Sequence, residues 1–134
     1  MLRFDHLPSD FNPQFLFLGE KQDLLALANL LRSFAKNPRQ LDVSEQLADA
    51  TSRTALRLVP IADETGEFGM MAHNDGFRWG LNAWQAEKIA ERIEALTPAH
   101  HKSGSDIIEL GVEGEIPVKV SLGEFTDDFL VQRF

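Results

Sequence analysis

The chain has no cysteine among its 134 residues. That absence excludes a disulfide scaffold, thiolate zinc sites and cysteine nucleophiles, and it leaves the redox compartment open. Long apolar runs are missing as well. The longest, Phe15–Leu18 and Leu24–Ala28, fall far short of the roughly 20 residues a membrane-crossing helix needs. The first residues, MLRFDHLPSDF, hold acids and a proline where a signal peptide needs an apolar stretch. A cytoplasmic protein is the expectation. No GxSxG, HExxH, Walker A or GxGxxG pattern occurs, so no motif announces a nucleophile elbow, a zinc helix or a phosphate-cradling loop. Repeats, low-complexity tracts and linkers are not evident, and the length fits one domain, 1–134, with one core. A domain of this size buries about two thirds of its unfolded surface and folds without a metal or disulfide staple.

Bases are scarce: 13 Lys and Arg stand against 21 Asp and Glu, a net charge of −8. The imbalance is concentrated. Between Ser103 and Asp128 lie Asp106, Glu109, Glu113, Glu115, Glu124, Asp127 and Asp128, with Lys119 as the one base. Such a surface repels nucleic-acid phosphates and anionic lipid, and it draws basic partners by long-range steering. Solvation and solubility are the plainer account of the same residues.

Against these absences stands one strongly patterned stretch, EFGMMAHNDGFRWGLNAWQAEKIAERIEAL, residues 67–96. Phe77, Trp79 and Leu81 alternate with Arg78 and Gly80, then the period changes from two to 3.6 at Asn82. Asn82 with Gln85 makes a capping-box start. An Asp75-Gly76 turn pairs Ala72 with Trp79 and Met70 with Leu81, and Asp-Gly suits a type I′ hairpin. Earlier in the chain, Leu2–His6 reads as an edge strand ended by Pro8. Gln14–Gly19, apolar on both faces, reads as a central strand. A helix from Glu20 to about Lys36 turns Leu24, Leu27, Ala28, Leu31, Phe34 and Ala35 to one side and stops at Asn37-Pro38. Residues 39–53 read as a short strand followed by a turn or one helical turn, in which Asp42 and Glu45 suit a cap. Thr54–Ile61 alternates as a strand.

The last hairpin is a question of parity. A two-residue Glu113-Gly114 turn sets each apolar residue opposite a polar one, and a one-residue slip flips the whole face. A three-residue loop pairs Val112 with Ile116 and Leu110 with Val118, so a three- or five-residue connection is expected. The tail beyond Ser121, with Phe125, Phe129 and Phe134, is read as a strap over the body. The fold class that follows is α+β: a mostly antiparallel sheet of about six strands with two amphipathic helices packed on it.

Candidates for chemistry are few. His100-His101 with Asp106 offer metal-ligand atoms, but TPAHHKSGSD reads as a surface loop. His73-Asn74-Asp75-Gly76 resembles the start of an oxygen-ligand loop and lacks the later bidentate Glu, and the turn accounts for each residue. Asp63, Glu64 and Glu67 have no apolar surroundings to raise a carboxyl pKa. No catalytic residue, metal or cofactor is assigned. Trp84 breaks the local pattern. The second helix turns Ala86, Ile89, Ala90, Ile93 and Leu96 inward, and 100° per residue points Trp84 the opposite way, beside Glu87, Lys88 and Glu91. An off-stripe tryptophan is a candidate interface anchor, or else the sheet or the C-terminal tail folds over the helix start and covers it.

Two segments, FRWGLNAWQAEKIAERI and VKVSLGEF, together resemble small bacterial immunity-type proteins, the cytoplasmic antidotes encoded beside polymorphic toxins. The resemblance implies a non-enzymatic role, binding a toxin and blocking it, and it assigns no individual residue. The combined expectation is an acidic module that occludes a basic protein partner, with no nucleic-acid or membrane target. Its candidate contacts are Trp84, Glu109, Glu113, Glu115 and Asp127. The alternatives are a small-molecule-binding domain or minor enzyme with a pocket between sheet and helices, and a homodimeric structural protein that pairs through a strand edge.

Overall fold

The computed structural model describes residues 1–8, 13–62, 67–97 and 104–123. The fold is α+β. In chain order it runs β1 (Arg3–Leu7), β2 (Gln14–Gly19), α1 (Lys21–Lys36), β3 (Leu41–Asp42), α2 (Val43–Gln46), β4 (Thr51–Ser52), β5 (Leu56–Pro60), β6 (Gly69–His73), β7 (Gly76–Leu81), α3 (Ala83–Glu94), β8 (Gly104–Ile108) and β9 (Val118–Leu122). The strands form two sheets where one was expected. The first has the order β4-β1-β2-β9-β8 and the second β3-β5-β7-β6. Both are mixed, because β2 runs parallel to β9 and β5 parallel to β7. The expected edge strand β1 is flanked on both sides, by β2 and the two-residue β4.

The chain follows one plan twice. An antiparallel hairpin leads through a capped helix into two further strands, β1-β2-α1-β3-β5 and then β6-β7-α3-β8-β9, with α2 and the two-residue β4 inserted between β3 and β5 of the first unit. The final strands are exchanged, so β5 of the first unit pairs with β7 of the second and β9 of the second pairs with β2 of the first. From β2 and β7 through the helices, and again at β5 and β9, equivalent positions lie 62 residues apart, the separation of Arg32 from Glu94. At that spacing Phe15 matches Phe77 and Phe17 matches Trp79, and each matched pair is in ring contact, at 5.2 and 5.6 Å between centroids. Backbone bonds repeat as well. The Phe15 N–H donates to the Pro117 carbonyl at 2.9 Å, and the Phe77 N–H donates to the Ala55 carbonyl at 2.9 Å. The expectation of a chain without repeats is therefore corrected: the repeat exists in three dimensions, carried by apolar character more than by residue identity.

Local chemistry explains why each unit turns from strand to helix where it does. Gln85, at the third position of α3, accepts from the Asn82 N–H while Asn82 accepts from the Gln85 N–H, at 2.9 and 2.7 Å. Asp23 stands at the same position of α1 and accepts from the Glu20 N–H at 2.9 Å. Such a cap contributes about 1 kcal/mol by satisfying donors the helix leaves open. Beyond the caps, Leu24, Leu27, Ala28, Leu31 and Phe34 of α1 and Ala86, Ile89, Ala90 and Ile93 of α3 join the inner faces of both sheets in one core. Leu16 and Leu18, on the other face of β2, are buried too, which fits its central place. In the weakly patterned stretch after α1, Asp42 accepts from the Ser44 and Glu45 N–H groups and starts the single turn of α2.

Two registers differ from expectation. In the β6–β7 hairpin Met70 pairs with Trp79 and Ala72 with Phe77, so the turn is Asn74-Asp75, one residue earlier than Asp75-Gly76. Asn74 takes the positive φ of 52°, a conformation asparagine tolerates. Gly76 serves a different need: a Cβ there would sit 2.6 Å from the carbonyl oxygen of Ala55, the residue just before β5. The shift is two residues in pairing, so Met70 and Trp79 still face the core together. In the last hairpin Ile108 pairs with Val118, which keeps the expected parity, but the connection is 109–117 and Val112 does not pair with Ile116. A Glu113-Gly114 turn does form, closed by the Glu115 N–H on the Val112 carbonyl at 3.2 Å. Four residues lead into that turn and three lead out, which restores the phase, with Gly111 at φ 80° on the longer side. The ladder stops because Ile116 donates instead to the Met70 carbonyl of β6, at 2.8 Å.

Candidate functional site

Trp84 lies in the first turn of α3 and is 68% exposed, whereas Trp79 of β7 is 1% exposed. Helical phase explains the contrast, since the buried stripe of α3 is Ala86, Ile89, Ala90 and Ile93. Lys88, one turn on, holds its ammonium 5.7 Å from the centre of the Trp84 ring and 3.5 Å from a Glu91 carboxylate oxygen. The indole is thus presented with a cation over its face.

Glu87, three residues after Trp84, is joined to α1 through Arg32, which bonds both Glu87 and Glu94. The Arg32 Nε donates to Glu94 at 3.0 Å. This bond holds the Glu94 carboxyl below the usual glutamate range, and the same contact raises the Arg32 guanidinium. Leu25, two turns before Arg32 on the same side of α1, is 40% exposed. The helix pair therefore offers solvent an aromatic, an aliphatic and a charge lattice that fixes α1 against α3. Sequence patterning found Trp84 by its phase. It missed Leu25 and the Arg32 bridge, because a cross-helix ion pair leaves no local signal.

The predicted acids have different situations. Glu109 and Glu113 are exposed in the 109–117 connection. Glu115 is partly buried, and its carboxylate accepts from the Leu110, Gly111 and Val112 N–H groups at 2.8, 2.7 and 3.2 Å. It organises the loop, and its side chain packs against the backbone at Gly69. Asp127 and the strap read from the tail lie outside the described residues. The structure thus gathers Glu109, Glu113 and Glu115 on one connection and leaves Trp84 on a separate element.

Of the other candidates, Asp106 is held by Arg92 in a two-pronged pair at 2.8 and 2.7 Å, and His100 and His101 lie outside the described residues. Among the described residues no three His, Asp or Glu side chains gather as metal ligands, and no helix is long and apolar enough to cross a membrane. Set beside models of known protein families and beside curated protein sequences, the chain matches none.

Proposed function

We propose that the protein is a non-enzymatic binding module that engages a basic protein partner and blocks it by occlusion, as immunity-type proteins do toward the toxins encoded beside them. The observation that carries this reading is Trp84, two-thirds exposed in a domain whose other tryptophan is sealed in the core. Placing an indole in water forgoes about 1.5–3 kcal/mol of burial that a bound partner recovers. Net charge supplies the second half of the reading. A chain at −8 attracts a basic partner, and the exposure of Glu109 and Glu113 supports a part for them in that attraction.

The two roles separate kinetically. Charge steers encounter, so replacing Glu109 and Glu113 by Gln slows association at low salt and has little effect once screening is strong. Trp84 acts after encounter, so Trp84→Ala speeds dissociation about tenfold or more and leaves association nearly unchanged. The experiment is surface-immobilised binding of the product of the gene adjacent to this one, with wild type, Trp84→Ala and the double Gln variant. Salt-sensitive binding that weakens in the two expected ways supports the reading. A partner that binds all three proteins with the same rates at every salt concentration overturns it.

A further inference from the structure

A second feature lies on the outer face of the second sheet, away from the helices. Ala55, just before β5, and Gly76 of β7 are in close contact and line a groove of about 250 Å³. Arg57 stands on one flank, His73 on the other, and the Asn74-Asp75 turn closes the end. The His73 Nε2 lies 3.3 Å from the Asn74 Nδ2, which ties the imidazole to the turn. Arg57 and Asp75 are opposite charges on the rim of one depression. Among the described residues neither side chain takes part in a hydrogen bond or ion pair.

Comparison with the first unit shows that the frame alone does not require this arrangement. At the matching positions Lys119 replaces Arg57, Gln14 replaces Gly76 and Leu7 replaces His73. Lys119 has a partner, and the two-residue turn has no counterpart, because the first hairpin is joined by residues 8–13. Among the described residues, the second unit surrounds this groove with charges of both signs.

We infer that this groove binds a small zwitterion of the free amino-acid class, with its carboxylate on Arg57 and its ammonium on Asp75. The guanidinium fork matches a carboxylate with two parallel bonds. Asp75 supplies the acceptor an ammonium needs, and the groove between them takes the ligand's short carbon chain. A volume of about 250 Å³ is just under the roughly 300–1,000 Å³ of drug-sized pockets, so the ligand has few heavy atoms. Few atoms in an open groove give dissociation constants of about 1 mM.

The test is a titration followed by backbone amide shifts, using β-alanine and γ-aminobutyrate against propionate and propylamine at constant ionic strength. The expected result is saturating shifts at Arg57 and Gly76 with an amino acid, about tenfold weaker in Arg57→Gln and in Asp75→Asn, with thermal midpoints unchanged. Propionate and propylamine, each lacking one charge, bind at least about tenfold more weakly. No saturating shift up to about 50 mM amino acid, or equal affinity for propionate, overturns the inference. So does affinity that survives both substitutions.

Discussion

Where the first unit places Phe17, Leu24, Leu27 and Leu31, the second places Trp79, Ala86, Ile89 and Ile93, and all eight are buried. Where the first unit places Gln14, Gln22, Leu25 and Arg32, the second places Gly76, Trp84, Glu87 and Glu94, and the chemistry has nothing in common. The division follows from packing. Two units that share one core must fill it at crystal-like density, so inward positions exchange one apolar shape for another. Outward positions meet water and carry no such constraint. The groove and Trp84 both lie where the second unit departs from the first, which is why the search for function belongs there. Arg32 and Glu94 show the same difference put to structural use: matched positions carry opposite charges and bond to each other.

The sharpest way to break the comparison is in the core. Phe17 and Trp79 stack at 5.6 Å, so Phe17→Ala and Trp79→Ala should each cost about 3–5 kcal/mol in denaturant unfolding. The double variant should cost less than the sum, because each single change already removes the shared contact. A small loss for one and a large loss for the other would mean that the units do not share the load. Next in size is Gly76→Ala, which forces a Cβ to within 2.6 Å of the Ala55 oxygen and should cost about 1–3 kcal/mol. Its counterpart Gln14→Ala should stay within about 0.5 kcal/mol. Similar losses at both positions would show that the close approach is not particular to the second unit.

Much of each unit was legible before the structure. Alternation into a capped helix at Asn82, the stripe of α1 and the outward phase of Trp84 are local signals, set by side chains within a few turns of one another. The exchange of β5 and β9 was not legible, because alternation tells which face a strand buries and not which strand lies beside it. The repeat was hidden for a related reason. Phe15 and Phe77 are identical, as are Ala28 and Ala90, but Phe17 against Trp79 and Leu31 against Ile93 agree only in being apolar. The last hairpin illustrates the limit of parity. Its phase was right, yet its loop is longer than expected, because Glu115 gathers three backbone donors and Ile116 bonds across to β6.

A smaller effect tests the bridge between the helices. The Glu94 carboxyl is held below its usual range by Arg32. Its contribution to stability is present above the unfolded-state value and is lost as pH falls through the lowered folded-state value. Wild type should therefore exceed Glu94→Gln slightly at neutral pH, with the gap closing in acid and shrinking with salt, as pH-dependent thermal midpoints would show. A gap that persists unchanged in strong acid would mean the bridge is not its cause. The smallest effect concerns sheet edges. The first unit supplies β3, two residues long, to an edge of the second sheet, while the second unit supplies β8, five residues long and carrying Ile107 at 46% exposure, to an edge of the first. Arg92 donates to the Ile107 carbonyl at 2.8 Å and so blunts that edge. Arg92→Ala should show weak concentration-dependent self-association in sedimentation velocity where wild type shows less. Identical behaviour of the two proteins would remove that role from Arg92.

The exchange of final strands between the units is the claim on which the rest depends, and cross-strand backbone nuclear Overhauser effects test it directly. The arrangement described predicts contacts between Phe17 and Val120 and between Trp79 and Leu58, the partners in the parallel ladders. Ladder contacts of Phe17 with Leu58 and of Trp79 with Val120 would mean that each unit closes on its own last strand, and would contradict it.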